Sequence, residues 1–242
     1  MRRRALIAAA LAAPAAAPTG TWAQDAAAEW PARPVRLVVP YLPGGILDAI
    51  ARMIAEPLQR HLGTAQPMVV ENRSGAGGNV GTAFVARARG DAHTVLVGNS
   101  GPLSINPALA RSLPFDPLRD FQPVVLTATT PLVLVVPAAS PHRTVAEFLG
   151  WAKAQARAIP YGTPGVGTPQ HMATELLRLR AGFEAVQVPY QGSAPVVTAL
   201  LAGDIAFAIE NQALVLGQVR AGALRALAVT TPQRSAELAD VP

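Results

Sequence analysis

The chemistry this chain can offer lies in loops that carry glycine and proline straight into helix-period stretches. Pro43-Gly44-Gly45 precedes Ile46, and Ser74-Gly75-Ala76-Gly77-Gly78 precedes Asn79. Gly165-Val166-Gly167-Thr168 precedes Pro169, and Gln191-Gly192-Ser193 precedes Ala194-Pro195. A helix start leaves backbone N–H groups without partners and carries partial positive charge. Glycine at that point lets a ligand approach the backbone. Thr168 as N-cap with Pro169 at the first helical position is a strong start signal, and Ser193 reads as a second cap. Several such starts converging would hold a small anion such as a carboxylate without a metal or a dedicated arginine. Capped helices are also how any α/β protein begins its helices, so no single loop identifies a site.

Other chemistries fall away on residue type and spacing. With no Cys there is no disulfide framework, thiol nucleophile, iron–sulfur cluster or Cys-ligated zinc. His61, His93, His142 and His171 are scattered, with no metal-ligand spacing, and no metal or cofactor is expected. The only lysine, Lys153, lies outside any glycine loop, which excludes a P-loop. Gly98-Asn99-Ser100-Gly101 has the wrong spacing for a nucleophile elbow. Gly75-Ala76-Gly77-Gly78-Asn79-Val80-Gly81 approaches a dinucleotide fingerprint, but Val80 holds the sixth place and Gly81 comes one late. A turn needing positive φ explains the same glycines.

The elements that must position these loops alternate strand and helix. Short β-branched runs stand at Val35–Val39, Met68–Val70, Thr94–Val97, Val124–Leu126, Leu132–Val136, Val186–Val188, Ile205–Ile209 and Leu224–Val229. Several are apolar throughout, as strands buried on both faces are, which predicts α/β layers on parallel-type sheets. Helix periodicity marks Ile46–Leu62, Asn79–Arg87, Val145–Ala156, Thr168–Arg180, Ser193–Leu201 and Ala213–Val219. In the first of these, Ile46, Ile50, Met53, Ile54, Leu58 and Leu62 share a face, and Pro57 predicts a kink or an early end. Val38-Val39-Pro40-Tyr41 before one Gly loop is echoed by Val186-Gln187-Val188-Pro189-Tyr190 before another. The echo suits two lobes facing each other, or chance in a chain rich in Val and Pro.

Composition bounds the rest. The chain has 242 residues, 50% hydrophobic and 14% charged, enough for one large domain or two small lobes with a real core. Its formal charge is +5, of which Arg2, Arg3 and Arg4 supply three. With the apolar run Ala5–Ala13 and a cleavage-like Thr21-Trp22-Ala23, these arginines predict a secretory signal over Met1–Ala23. Export could follow the general or the twin-arginine route. Pro14 and Pro18 interrupt the run, which is far shorter than the ~20 residues of a membrane span. The remaining small positive surplus is no footprint for nucleic acid.

In order along the chain, these loops resemble the extracytoplasmic receptors of tripartite tricarboxylate transporters, the Bug or TctC-like family. The residues that carry the resemblance begin with Trp30-Pro31-Ala32-Arg33-Pro34-Val35, then Val38–Tyr41 with Gly44, Gly45 and Asp48. Val70-Glu71-Asn72-Arg73 with Gly75–Asn79 and Gly81 follows, then Ile105–Leu109 and Phe115-Asp116-Pro117 with Asp120-Phe121. Tyr161-Gly162, Gly165, Gly167, Gln170-His171 and Val188–Tyr190 with Gly192–Pro195 come next. Leu224–Thr230 and Leu238–Pro242 close the series.

The resemblance implies a two-lobe α/β periplasmic-binding-protein-like fold with a ligand cleft between lobes. It implies lobe 1 over 24–128, lobe 2 over 129–224 and a crossover back toward lobe 1 over 225–242. Relatives continue past Pro242 for roughly a third again of this length, so the C-terminal part of the fold is expected to be missing. The implied ligand is a di- or tricarboxylate, an amino acid or an aromatic acid, held by Tyr41, Pro43–Ile46, Asp48, Gly75–Asn79, Asn99 and Ser100 on one side. Thr163, Gly165, Gly167, Thr168, His171, Tyr190, Gly192, Ser193 and Asn211 would serve on the other. Backbone N–H groups of Gly45, Gly77 and Gly192, with the hydroxyls of Ser100, Thr168 and Ser193, are expected to take the carboxylate oxygens. His171 would bond the ligand or pack. Leu47 replaces a common Thr, which removes a hydroxyl near the expected carboxylate. Ala206 stands where relatives more often have Asp, and Glu210 where they more often have Asp; the loss of an acidic group there argues against an amino acid as ligand. The implied partners are membrane permease subunits, the protein itself being a monomer and not an enzyme. The alternatives are an exported α/β enzyme using Ser74–Gly81 for a nucleotide, and a truncated, non-functional remnant.

Overall fold

The computed structural model describes residues 30–242; the predicted signal over Met1–Ala23 lies outside the described residues. β1 (Val35–Val39) is the centre of a three-stranded parallel sheet between β2 (Met68–Asn72) and β3 (Thr94–Leu96). Val35, Leu37, Val38 and Val39 are buried, which accounts for the run being apolar without alternation. α1 (Ile46–His61) packs on β1 and β2, and α2 (Asn79–Arg87) on β1 and β3.

The second sheet has the order β6-β5-β7-β4-β8. It comprises β4 (Leu132–Pro137), β5 (Ile159–Thr163), β6 (Ala185–Pro189), β7 (Phe207–Asn211) and β8 (Leu224–Val229). β4 is buried on both faces, and its alternating side chains feed two cores. Leu134 and Val136 pack with Phe148 of α4 (Val145–Ala154), and Leu177 of α5 (Pro169–Ala181) joins the same cluster. Val133 and Val135 pack with Leu200 of α6 (Ser193–Ala202) and Val215 of α7 (Gln212–Arg220). Phe207 meets Phe148 edge-on at 5.0 Å and packs against Tyr161 at 5.6 Å between ring centres. Each fully buried side chain of this kind contributes roughly 1.5–3 kcal/mol. Each sheet with its helices forms one lobe of an α/β fold.

Three expectations are corrected, and one strand is added. The second sheet is mixed, since β4 runs antiparallel to both β7 and β8; a strand buried on both faces is apolar whichever way it runs. Val124–Leu126 forms no strand and is exposed, because no neighbour supplies a ladder for it. β5 is the added strand: it contains Pro160 and Gly162, residue types that weaken a strand pattern in sequence. A Cβ on Gly162 would meet Ile205 Cδ1 at 2.4 Å and Val196 Cγ1 at 2.9 Å, so glycine lets α6 lie close on the sheet. Finally, α1 runs through Pro57 to His61 unbroken, with the proline on the exposed side, where water can serve the carbonyl it leaves unbonded. Its buried face uses Leu47, Ala51, Ile54 and Leu58; Met53 is 71% exposed.

Residues 113–121 stay with the first lobe, where Phe115 and Phe121 pack against Ala83 and Ala86. The chain then crosses through residues 122–131 to β4. Leu238 packs in the core of the second lobe, and Val229 N–H donates to Pro242 O at 2.7 Å.

Candidate functional site

A cavity of about 470 Å³ opens between the lobes. The start of α1 (Gly45, Ile46, Leu47, Asp48) and residues 98–100 form one wall. Pro169, Gln170, Ser193 and Asn211 form the other, and residues 125–130 form the back. α1 begins after Gly45 and α6 after Gly192, and neither N-cap offers a side-chain hydrogen bond. No acceptor for the N–H groups of Ile46, Leu47 or Ser193 occurs among the described residues. Two helix starts with unsatisfied donors therefore meet one cavity from opposite lobes, which is the geometry an anion requires. Ser193 is the first residue of α6 rather than its cap. Its hydroxyl turns inward, where Gln170 Nε2 donates to it at 3.5 Å. Thr168 does cap α5, accepting from His171 N–H at 3.4 Å.

The carboxylate on this wall is committed elsewhere. Asp48 Oδ2 accepts from Gly44 N–H at 3.0 Å and Arg52 Nε at 3.1 Å, and Oδ1 accepts from Asn72 Nδ2 at 3.0 Å. Burial alone would raise its pKa, but the bonds from Arg52, Gly44 and Asn72 hold it below the usual carboxylate range. Asp48 thus fixes the loop that presents Gly45, and its charge is offset before any ligand arrives. Tyr41, pushed up to about 12 by burial, donates to Gly77 O at 2.9 Å and is held by Asn99.

Many glycine-loop residues meet the other lobe, away from the cavity wall. A Cβ on Gly77 would stand 2.2 Å from Val166 O, and one on Gly165 would stand 2.8 Å from Gly77 Cα. Gly77 has φ +62 and Gly165 φ +138, conformations in which glycine is favoured. A Cβ on Gly167 would meet Asn106 Oδ1, whose amide donates to Asn79 Oδ1 at 2.8 Å. Gly78 is filled by the Tyr41 hydroxyl, and Gly81 by Arg73 O and Pro40. The Ser74–Gly81 loop is therefore packed, and offers no cradle for a nucleotide phosphate. Leu42 N–H donates to Gln191 O at 3.2 Å and Ser74 Oγ to Gln191 Oε1 at 3.1 Å, so the two echoed Pro-Tyr loops face each other across the lobes.

Of the expected site residues, Tyr41, Gly45, Ile46, Asp48, Asn99, Ser100, Ser193 and Asn211 line the cavity. Pro43 and Tyr190 line a separate, open depression with Leu42 and Ala194. Gly44 gives its N–H to Asp48, and Gly192 lies against the Leu42 backbone. Gly75, Ala76, Gly77, Gly78, Asn79, Gly165 and Gly167 belong to the contact between lobes or to its immediate support. Thr163 is buried and accepts from Gln187 Nε2 at 2.6 Å, and the Thr168 hydroxyl donates to Gly165 O at 2.8 Å. His171 Nδ1 accepts from Gly167 N–H at 3.2 Å, and burial lowers its pKa, which keeps the acceptor neutral.

Sequence reasoning missed Gln170, whose place just after a Thr-Pro helix start is a usable signal, and the Thr127–Thr130 run. Thr130 Oγ1 donates to Asn211 Oδ1 at 2.7 Å and pins the crossing segment to β7. Behind the wall, Glu210 of β7 is fully buried. Its pKa is pushed up to about 7 by burial, against hydrogen bonds from Ser193, the Asn211 N–H and Gln170.

Comparison with known proteins agrees with this architecture. The family model described as "Tripartite tricarboxylate transporter family receptor" matches residues 50–242. A UPF0065 protein from the tcbD-tcbE intergenic region of a Pseudomonas species is 40% identical over 213 residues, covering 88% of this chain; the chain spans 62% of that protein's length. An R. palustris protein solved with adipate is 38% identical with a TM-score of 0.84, over 88% of this chain and 71% of that one. MatC from Rhodopseudomonas palustris, solved with bound malate, is 30% identical with a TM-score of 0.83, over 88% of this chain and 72% of that one. With the family model matching most of its length, and with relatives of 30% identity or more, the chain belongs to the tripartite tricarboxylate transporter receptor family.

Proposed function

We propose that this protein captures a small, predominantly aliphatic carboxylate between its lobes and delivers it to the membrane permease subunits of a tripartite tricarboxylate-type transporter. The observation that carries this reading is the pair of helix starts without side-chain caps, at Gly45 and Gly192, facing one cavity from opposite lobes. Backbone N–H groups of Ile46 and Leu47, with the hydroxyls of Ser100 and Ser193, would hold carboxylate oxygens, aided by ordered water. Ile46, Ile50 and Leu132 give the cavity an apolar flank suited to a methylene chain. The relatives solved with adipate and malate support this chemical class. The lobe contact through Gly77, Gly165 and Gln191 would make closure over the ligand the signal that the permease reads. Capture outside the cytoplasm agrees with the predicted leader.

The test is thermal unfolding of the full mature chain with adipate, malate, citrate, benzoate and glutamate. An acid at 100 times its Kd should add about 2.7 kcal/mol of stability. A midpoint raised by adipate or malate and not by glutamate is the expected result. Failure of every acid to shift the midpoint, or a shift by glutamate alone, overturns the reading.

A further inference from the structure

Behind the cavity wall stands an ionisable group that the binding role does not by itself require. Glu210 is fully buried, its Oε2 accepts from Asn211 N–H at 3.1 Å and Gln170 Nε2 at 3.4 Å, and its Oε1 has no partner. The Ser193 hydroxyl also lies against this carboxyl. Ser193 and Gln170 are at the same time, beside Asn211, polar side chains of the cavity wall on that side. One pair of donors thus stands between two anions, the Glu210 carboxylate behind and a ligand carboxylate in front. While Glu210 is ionised it draws the Ser193 proton and the Gln170 amide inward, and a second negative charge beyond them is repelled at low dielectric.

A proton on Glu210 resolves the conflict. The neutral acid can donate to Ser193 Oγ, which leaves the serine proton free to point into the cavity. It also no longer demands the Gln170 amide, and it removes the penalty of an ionised oxygen without a partner. Resting on the carboxylate-receptor reading above, we propose that Glu210 is the proton acceptor of the cleft. The anionic ligand binds together with one proton, which Glu210 takes up as it releases Ser193 and Gln170 to the ligand.

The surroundings leave no competing partner for that proton. Of the elements packed against β7, β4 and α6 carry no titratable side chain, and α7 carries only Arg220, at its far end. β5 brings Tyr161, whose hydroxyl donates to Glu175 Oε1 at 2.6 Å. α5 brings His171, bonded to Gly167, and Glu175, paired with Arg178 at 2.9 Å; Arg180 follows in its last turn. Across the cavity Asp48 is paired with Arg52. Burial pushes the Glu210 pKa up to about 7, which sets the pH range in which the uptake is to be sought.

The experiment is calorimetric titration of adipate and of malate into the mature chain from pH 6 to pH 9, in buffers of different ionisation enthalpy. The wild type should take up close to one proton per ligand at pH 8, with affinity falling towards tenfold per pH unit above neutrality. Glu210→Gln should still bind, take up no proton and show a flat profile. An infrared difference spectrum of wild type, bound minus free at pH 8, should gain a protonated-carboxyl band, which tests the idea even if the variant does not fold. A flat wild-type profile with no proton uptake, or an unchanged slope in Glu210→Gln, overturns the proposal while leaving carboxylate capture standing. If neither acid binds at any pH, the receptor reading fails and the proposal falls with it.

Discussion

Gly77→Ala is the substitution that separates closure of the lobes from every other use of the glycine loops. A Cβ there stands 2.2 Å from Val166 O, a backbone atom of the opposite lobe that no side-chain rotation can remove. To restore van der Waals contact the two lobes must part by about 1 Å at this point. Gly77 also has φ +62, so alanine carries a left-handed strain of roughly 1–2 kcal/mol in any state. Gly63 supplies the control, since it has φ +60 with nothing within 4 Å of its Cβ. Gly63→Ala bears the strain alone, whereas Gly77→Ala adds overpacking of about 1–3 kcal/mol that exists only when the lobes touch. If ligand capture requires closure, that added cost appears in affinity, as a loss of about 5–150-fold. The assay is calorimetric titration of both variants with whichever acid binds the wild type, beside their thermal midpoints. Both should melt lower, and only Gly77→Ala should bind weakly. Wild-type affinity in Gly77→Ala, or an equal loss in Gly63→Ala, would refute the assignment of this loop to closure.

Two further outcomes test the frame around the site. Gly162→Ala should lower the thermal midpoint through an overpacking cost of about 1–3 kcal/mol, because its Cβ meets Ile205 and Val196; a midpoint equal to wild type would show that α6 can move off the sheet. Asp48→Asn should cost about 1–3 kcal/mol at pH 7. Asp48 has a depressed pKa when folded, so its stabilisation is present above the unfolded value of about 3.9 and is lost as pH falls through the lower folded value. The gap between the melting points of Asp48→Asn and wild type should therefore narrow in acid, and a gap independent of pH would refute the ion-pair account.

The second lobe was legible wherever apolar runs are long. β4, α4 and α7 emerge within a few residues of their periodic patterns, because Leu132–Val136 and the stretches after Thr144 and Asn211 have little choice but burial. β5 was not legible, because Pro160 and Gly162 serve packing against neighbours far away in sequence, and that need leaves no local signal. Val124–Leu126 erred the other way, since strand-forming residues make a strand only beside a partner. The helix-start loops were all visible as glycine clusters, but a glycine that lets a ligand in and a glycine that lets another lobe in are the same residue type.

By itself, the sequence laid out the alternation of apolar runs and Gly-Pro helix starts, and the ordered motifs that resemble the tripartite tricarboxylate transporter receptors. Residue types and spacing alone left a carboxylate receptor and a nucleotide-using α/β enzyme both open. Only the tertiary structure decided which starts face the cavity. Gly45 and Ser193 do, whereas Gly77 and Gly165 face each other, because that choice depends on how two lobes from distant parts of the chain are set against one another. The same holds for Glu210. Its burial and its neighbours Ser193 and Gln170 come from three separate elements, and no local pattern in any of them marks a carboxyl poised near neutral pH.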